Sequence, residues 1–418
     1  MKDSGIDWIG KILDDWKINK IDSLYTLRNT KVSDKNYPPL SVTMKGIVPQ
    51  LATAAKSDDG DNRKLVKKGD FVINSRSDRR GSSGISNYDG SVSLINTILT
   101  PRGKMNPDYY NWLFHTVQFE DEFYKWGHGI VDDLWTTRWQ DMKNISVLVP
   151  PEEAQEKIAG FLDKKCSEID SIIEESKKSI EEYKAWKQSV IFEAVTGKNL
   201  SCKKKNSGIE WLGEIPETWE VQRFKCIIDS LEKGNGITKD EVFSDGDTFC
   251  VRYGEIYSKY DTSFENCFSK TFKDKIPVKK YFSNGDLLFV GTGELVEEIG
   301  KCVAYLGNEQ CLSGGDIIIA KHKQNAKFLS YAMNSHYAQA QKSCGKAKLK
   351  VVHISATEIG NVLLALPPLS EQESIAKFLD EKCTQIDSLI SEKQSLIKDL
   401  AEYKKSLIFE VVTGKRRV

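Results

Sequence analysis

The chain has 418 residues, 39% hydrophobic and 29% charged, which is too long for one ordinary core and suits two to four helix-rich globular domains. Sixty Lys and Arg balance sixty Asp and Glu, which argues against a general polyanion binder but not against local binding by basic patches. The opening MKDSGIDWIGKILDDW has no apolar h-region and no run of about 18 apolar residues follows, so a cytoplasmic protein without membrane contact is expected.

The first element in chain order is an opening motif, SGIDWIGKILDDW, at residues 4–16. Region 20–149 follows, with short apolar runs broken by Gly, Asn, Asp and Ser. In it GDFVINS (69–75) reads as a turn and a strand, SVSLINTILT (91–100) as a further strand, and 108–124 as helix. The loop NSRSDRRGSSGISNYDG (74–90) stands out. Arginines suit phosphates and guanine edges, hydroxyls suit phosphates and base edges, and glycines admit close backbone approach. Asn74, Ser75, Arg76, Ser77, Arg79, Arg80, Ser82 and Ser83 are therefore candidate DNA contacts, with Lys104 and Arg138 further along the region. Residues 63–104 hold nine Lys or Arg against three Asp.

A long amphipathic helix is predicted over most of 150–198, then a polar linker, NLSCKKKNS (199–207), and a second opening motif, SGIEWLGEIPETW (207–219), 203 positions after the first. Region 223–366 has its own turn-strand pair, GDLLFVG (285–291) and GGDIIIAK (314–321), and a helix at 326–343. Its candidate DNA contacts are Arg252, Thr292 and the alternating Lys346, Lys348 and Lys350 of GKAKLKVVH, in a stretch (317–357) with seven Lys and no acid. Residues 367–415 then repeat 150–198 without a gap, with 26 of 49 positions identical.

Each repeated helix carries a heptad seam. In the second copy the predicted seam is Ile386, Leu389, Lys393, Leu396, Leu400, Tyr403 and Leu407; in the first it is Ile169, Ile172, Ser176, Ser179, Tyr183, Trp186 and Val190. Pro367 and Pro368 block backward extension, Ser370 with Glu373 fits a capping box, and Gly197 and Gly414 sit where a left-handed cap belongs. Such a helix of about 43 residues spans about 65 Å. A seam left in water is unfavourable, so the copies are expected to pack antiparallel as a stalk with a variable region at either end. The predicted segments are 1–149, 150–198, 199–366 and 367–418.

No catalytic constellation emerges. FVGTGE (289–294) resembles the start of a methyltransferase cofactor site, but neither NYPPL (36–40) nor NPDYY (106–110) supplies the clamp for a flipped base. Asp163 and Asp380 fit the end of a metal-dependent nuclease motif only by letter, since both lie on the repeated helix, where salt-bridge formation is the simpler role. Five histidines lack zincin spacing, and nine cysteines without a CxxC pair argue for reduced thiols and no metal site.

SGIxWxGxIPxxW at the opening, PPxxEQxxIAxFLD at the helix start and IFEVVTGK at its close resemble the specificity subunits of type I restriction-modification systems, and the doubled arrangement covers nearly the whole chain. The first copy departs in PPEEAQ for PPLSEQ and in Leu13 for proline. The resemblance implies an α+β fold with a pseudo-twofold repeat: two mixed target recognition domains, each reading part of a bipartite double-stranded DNA site, joined by two long antiparallel helices. It implies docking of two methyltransferase subunits and association with restriction/translocase subunits. It also implies no cofactor on this chain, with S-adenosylmethionine, ATP and Mg on those partners. Two other classes fit fewer residues: a self-sufficient DNA methyltransferase, from FVGTGE, and a coiled-coil scaffold without DNA binding, from the heptads.

Overall fold

The computed structural model describes residues 1–52, 59–129, 135–293, 295–346 and 351–418, with Ser77 as backbone only. It divides into two compact units, Met1–Lys177 with Gln394–Val418, and Lys178–Lys393. Each unit therefore takes the opening part of one long helix and the closing part of the other, a division that cuts across the four sequence segments.

The first unit is built on β1 (Tyr25–Arg28), β2 (Phe71–Asn74), β3 (Ser83–Ile85) and β4 (Asn96–Pro101), antiparallel in the order β3-β2-β4-β1. All four residues of β2 are buried, so FVIN reads as a continuous apolar run instead of an alternation. The turn into β2 is set by Gly69 (φ +89°) and by the Asp70 carboxylate, which accepts the Lys67 N–H at 2.8 Å and the Thr100 hydroxyl at 2.9 Å. The Arg28 guanidinium donates to the same carboxylate with Nε at 2.7 Å, tying β1 to the turn. SVSLINTILT is two strands, Gly90–Val92 and β4, because Asn96 turns the chain by donating its backbone and side-chain N–H groups to the Ser93 carbonyl. The helix expected at 108–124 is likewise two, α1 (Pro107–Phe114) and α2 (Val117–Lys125), broken at Thr116, whose hydroxyl caps α2.

The second unit repeats this core. β5 (Ile228–Lys233), β6 (Leu287–Val290), β7 (Cys302–Tyr305) and β8 (Ile317–His322) lie in the order β7-β6-β8-β5, with a further strand, Ser263–Phe264, beside β7. Gly285 (φ +86°) and Asp286 rebuild the turn, with the Ser283 N–H on the Asp286 carboxylate at 2.8 Å. α3 (Ala326–Asn334) and α4 (His336–Ser343) follow, broken at Ser335.

In each unit the strand after the opening motif pairs with the strand before a long helix, Lys17–Lys20 with Ser146–Val149 and Glu220–Arg223 with Leu363–Leu366. The glutamine of the repeated PPxxxQ sequence then pins the short helices. Gln155 accepts the N–H of Asn106, the α1 cap, and donates to the Pro150 carbonyl; Gln372 does the same with Asn325, the α3 cap, and Pro367. The aspartate of each FLD is a latch: Asp163 accepts the Trp112 indole N–H at 2.8 Å, and Asp380 accepts the Tyr331 hydroxyl at 2.9 Å and the Lys327 ammonium at 2.6 Å. Among the described residues no group of three or more His, Cys, Asp or Glu is placed to hold a metal ion, and all nine cysteines are free thiols.

The long helices are Glu152–Thr196 and Leu369–Val412, of 45 and 44 residues. Ser370 lies inside the first turn, so it does not form the expected capping box with Glu373; the Pro368 carbonyl instead accepts the Glu371 and Gln372 N–H groups. The closing glycines behave as expected, with Gly197 at φ +69° and Gly414 at φ +70°. Over each lies the tryptophan of an opening motif: a Cβ at Gly414 would stand 3.0 Å from Trp16, and one at Gly197 3.3 Å from Trp219 and 2.5 Å from Pro216.

Within the first unit the helices run antiparallel, with Lys404 on Asp170 at 2.6 Å and Cys166, Ile169, Leu407 and Ile408 in one core. Within the second, Lys187 meets Asp387 at 2.8 Å, while Ile191 and Val195 share a core with Leu379 and Cys383. The sequence repeat makes these ion pairs equivalent, each lysine 217 positions from the other. The buried stripe runs Ile169, Ile173, Ser176, Ile180, Tyr183, Lys187, Val190 and Ile386, Ile390, Lys393, Ile397, Leu400, Lys404, Leu407. Alternate positions of the expected seam are thus displaced by one residue. Ile172 is 44% exposed, Trp186 48%, Leu389 37%, Leu396 38% and Tyr403 46%. The displacement occurs where two apolar residues adjoin, where apolar Ile180 turns inward in place of its polar neighbour Ser179, or where a lysine stem enters the stripe and carries its charge out to a carboxylate.

Candidate nucleic-acid interface

Both units present the same backbone arrangement beyond the end of the central strand. After β2 the chain runs through residues 75–82 into β3, and this loop is crossed by 135–138. The Thr137 N–H donates to the Ser75 carbonyl at 3.0 Å, and Arg76 and Thr136 form a β-bridge. After β6 the chain runs toward β7 and is crossed by 351–354. The Ile354 N–H donates to the Gly291 carbonyl at 2.9 Å, and Thr292–Gly293 pairs with Val352–His353. The glycines of FVGTGE are thus occupied in strand pairing, not held open as a phosphate or cofactor loop.

Within the first loop the predicted residues divide into builders and presenters. Asn74, Ser75, Ser82 and Ser83 are buried. The Asn74 side chain accepts the Arg76 N–H at 3.0 Å, the Ser75 and Thr97 hydroxyls pair at 2.8 Å, and the Ser83 hydroxyl meets His115 Nε2 at 3.2 Å. These four hold the loop's shape. Arg76, Arg79 and Arg138 are exposed, and Arg138 closes the crossing segment, which brings it to the same end of the sheet as Arg76. Among the described residues no carboxylate pairs with Arg76 or Arg138, and Arg79 has only its neighbour Asp78, at 3.6 Å. Arg80 is engaged, donating to Glu120 and Asp121 of α2. Lys104 lies elsewhere: β4 meets Asn74 at its Asn96 end, whereas Lys104 follows the Pro101 end, about 17 Å away along a six-residue strand. The Ser77 side chain lies outside the described residues.

In the second unit Thr292 donates to or accepts from His353 Nδ1 at 3.1 Å. Lys346 is a tether, its ammonium held by Glu358 and by the His353 carbonyl, each at 2.7 Å, with the side chain 12% exposed. Burial works to raise the Glu358 carboxyl, but Lys346 and the Ser355 N–H and hydroxyl outweigh it and hold it down to about 2. Arg252 is half-buried: its backbone N–H donates to Glu255 at 2.8 Å, and its enclosed Nε meets no acceptor among the described residues. Lys348 and Lys350 lie outside the described residues.

Sequence reasoning missed His353, whose place opposite Thr292 depends on pairing across 61 positions, and the stacked rings of Tyr124 and Trp135 beside the first loop. It also missed Lys342 of α4, which is 2% exposed and donates to the Gly300 carbonyl at 2.7 Å. Burial lowers this ammonium to about 8. Its folded-state value lies below its unfolded one, so the folded chain holds fewer protons between about pH 8 and 10.5 and gains stability from this group as pH rises through that window. Relative to Lys342→Met, the native chain is expected to gain roughly 1 kcal/mol per pH unit there, read from denaturant titrations of both proteins at several pH values.

Comparison with known proteins adds the family. The family model for the type I restriction modification DNA specificity domain matches residues 13–182 and 216–399, once for each sequence half. The chain belongs to the type I restriction-modification specificity family. As a specificity subunit it is a non-catalytic component of such a system. It is 24% identical to the type I restriction enzyme MjaVIII specificity subunit of Methanocaldococcus jannaschii, over 98% of this chain and 94% of that one. It is 27% identical to the EcoBI specificity subunit of Escherichia coli over a shorter stretch, 24% of this chain and 20% of that one. The fold resembles the HsdS subunit from Thermoanaerobacter tengcongensis, with TM-score 0.57 at 14% identity over the whole of both chains. It also resembles a chain from a structural study of complex assembly and conformational transition in the type I R-M system, with TM-score 0.74 at 15% identity, over 97% of the specificity subunit and 100% of that chain. Among its described residues no helix is long and apolar enough to cross a membrane.

Proposed function

We propose that this specificity subunit reads a bipartite double-stranded DNA target in the cytoplasm, one part with each unit, and that it docks two methyltransferase subunits. The reading is carried by one observation: two units of unlike sequence have the same four-strand core and the same crossed loop pair, but they present different side chains there. The first offers Arg76, Arg79 and Arg138; the second offers Thr292 and His353. A shared scaffold with unlike tips suits two readers of unlike half-sites. Restriction/translocase subunits would join the complex, and S-adenosylmethionine, ATP and Mg would be held by the partners.

Docking is supported by the exposed apolar residues flanking the buried stripe. Antiparallel pairing brings equivalent flanking positions of two helices to one side, which places Ile172 near the level of Tyr403 in the first unit and Trp186 near that of Leu389 in the second. The two patches are related by the sequence repeat, as two copies of one partner require.

The reader assignment predicts a one-sided loss. Once methylated-adenine mapping in the host has given the target, Arg76→Ala, Arg79→Ala and Arg138→Ala are each expected to weaken methylation by about 1–3 kcal/mol in DNA-binding terms. The penalty for altering the first half-site should shrink and that for the second should persist. Equal loss on both halves would count against separate readers.

A further inference from the structure

The second helix of the α1–α2 and α3–α4 pairs lies against the reader loop in both units, and the contact uses opposite chemistry in the two. In the first unit the loop supplies the side chain: Arg80 reaches to Glu120 and Asp121 of α2. The following Gly81 (φ +73°) passes so close that a Cβ there would stand 2.9 Å from Glu120. In the second unit the helix supplies the side chains and the loop gives only backbone. Gln339 of α4 donates to the Val296 and Ile299 carbonyls at 3.3 and 3.1 Å, and Lys342 donates to the Gly300 carbonyl at 2.7 Å. Gly300 (φ +69°) again passes closely, with a built Cβ 3.0 Å from the Lys342 side chain.

Lys342 is unusual for a structural residue. Its charge is buried with a neutral carbonyl as partner and no carboxylate in ion-pair range among the described residues, and such a charge is a liability to stability. What it fixes is the backbone of the loop that leads from Thr292 back into β7. Three carbonyl acceptors within one short stretch of the loop, at Val296, Ile299 and Gly300, make a clamp that is indifferent to the loop's side chains, so those side chains are free to be chosen for DNA.

We propose that Gln339 and Lys342 are positioning residues of the second reader, and that Glu120 and Asp121, acting through Arg80, hold the first. The inference rests on the assignment of the loops as DNA readers. Each clamp sets where its own loop meets DNA and leaves the other reader untouched, which makes α2 and α4 determinants of half-site recognition without contact to DNA.

The test uses the full chain assembled with its methyltransferase subunits, S-adenosylmethionine, and three duplexes: the intact target and targets altered in one half each. Lys342→Met and Gln339→Ala are expected to raise KM for the intact duplex about tenfold with kcat within about twofold, because binding is what the loop supplies. The penalty for altering the second half should fall about tenfold, and that for the first half should stay as in the native complex. Glu120→Ala with Asp121→Ala should give the mirror result. Hydrogen exchange on the full chain should show faster exchange at residues 295–301 in Lys342→Met, with the cores of both units still protected. Native-like penalties at both halves, or equal loss at both, would overturn the clamp. A native complex indifferent to which half is altered would instead sink the reader assignment, and the clamp with it.

Discussion

Trp219→Ala is expected to destabilise the second unit by about 3–5 kcal/mol, the range for truncating a fully buried aromatic. Trp219 is fully buried between the end of the first long helix, at Gly197, and the start of the second, where its indole N–H donates to Glu371 at 2.8 Å. Removing the ring opens a cavity where the opening motif meets both long helices, and it leaves the Glu371 carboxylate without its donor. Trp219→Phe keeps most of the packing and loses only the hydrogen bond, so a smaller loss of about 1–2 kcal/mol is expected. The first unit offers an internal comparison. Trp16 covers Gly414 in the same way, but Ala154 stands where Glu371 stands in the second copy. Trp16→Phe should therefore lose less than Trp219→Phe. Denaturant unfolding followed by circular dichroism on the three variants would decide it, and equal losses for the two Phe variants would show that the indole hydrogen bond contributes nothing.

These tryptophans also show what was legible in the sequence. The doubled opening motif and the doubled helix were visible as letters, but why they belong together was not, since Trp219 lies 22 positions from Gly197 and Trp16 lies 398 positions from Gly414. GDFVINS and GDLLFVG could be matched because a turn glycine, a turn carboxylate and an apolar run are local signals. The common order β3-β2-β4-β1 and β7-β6-β8-β5 could not, because strand order is set by pairing across tens of residues. Of the site, the exposed Arg76 and Arg79 followed from composition alone. The roles of Arg80 and Lys346 did not, since their partners Glu120, Asp121 and Glu358 are ordinary helix carboxylates until the fold brings them near. The heptad phase failed for a different reason. In Ile172-Ile173, Leu389-Ile390 and Leu396-Ile397 either neighbour satisfies an apolar repeat, and only packing decides which one turns inward.

That ambiguity leads to a paired result. Ile386→Asp is expected to cost the second unit more than about 3 kcal/mol, because it places a carboxylate at a position with no exposed surface and no partner for the charge. Leu389→Asp, three residues on and 37% exposed, should fall within about 0.5 kcal/mol of the native chain. If the exposed patches are where methyltransferase subunits dock, the second substitution has its effect elsewhere. Leu389→Asp with Trp186→Asp should remove one of two methyltransferase subunits from the assembled complex, as read by sedimentation or light scattering. Ile172→Asp with Tyr403→Asp should remove the other, and the four together should leave the specificity subunit alone but folded. The reason is desolvation: an aspartate in an apolar contact loses its water without gaining a partner, whereas on the free helix it stays hydrated. Retention of both methyltransferases by the fourfold variant would place the docking surface off the helix pair, and a normal melting curve for Ile386→Asp would show that this position is not enclosed by the helix packing.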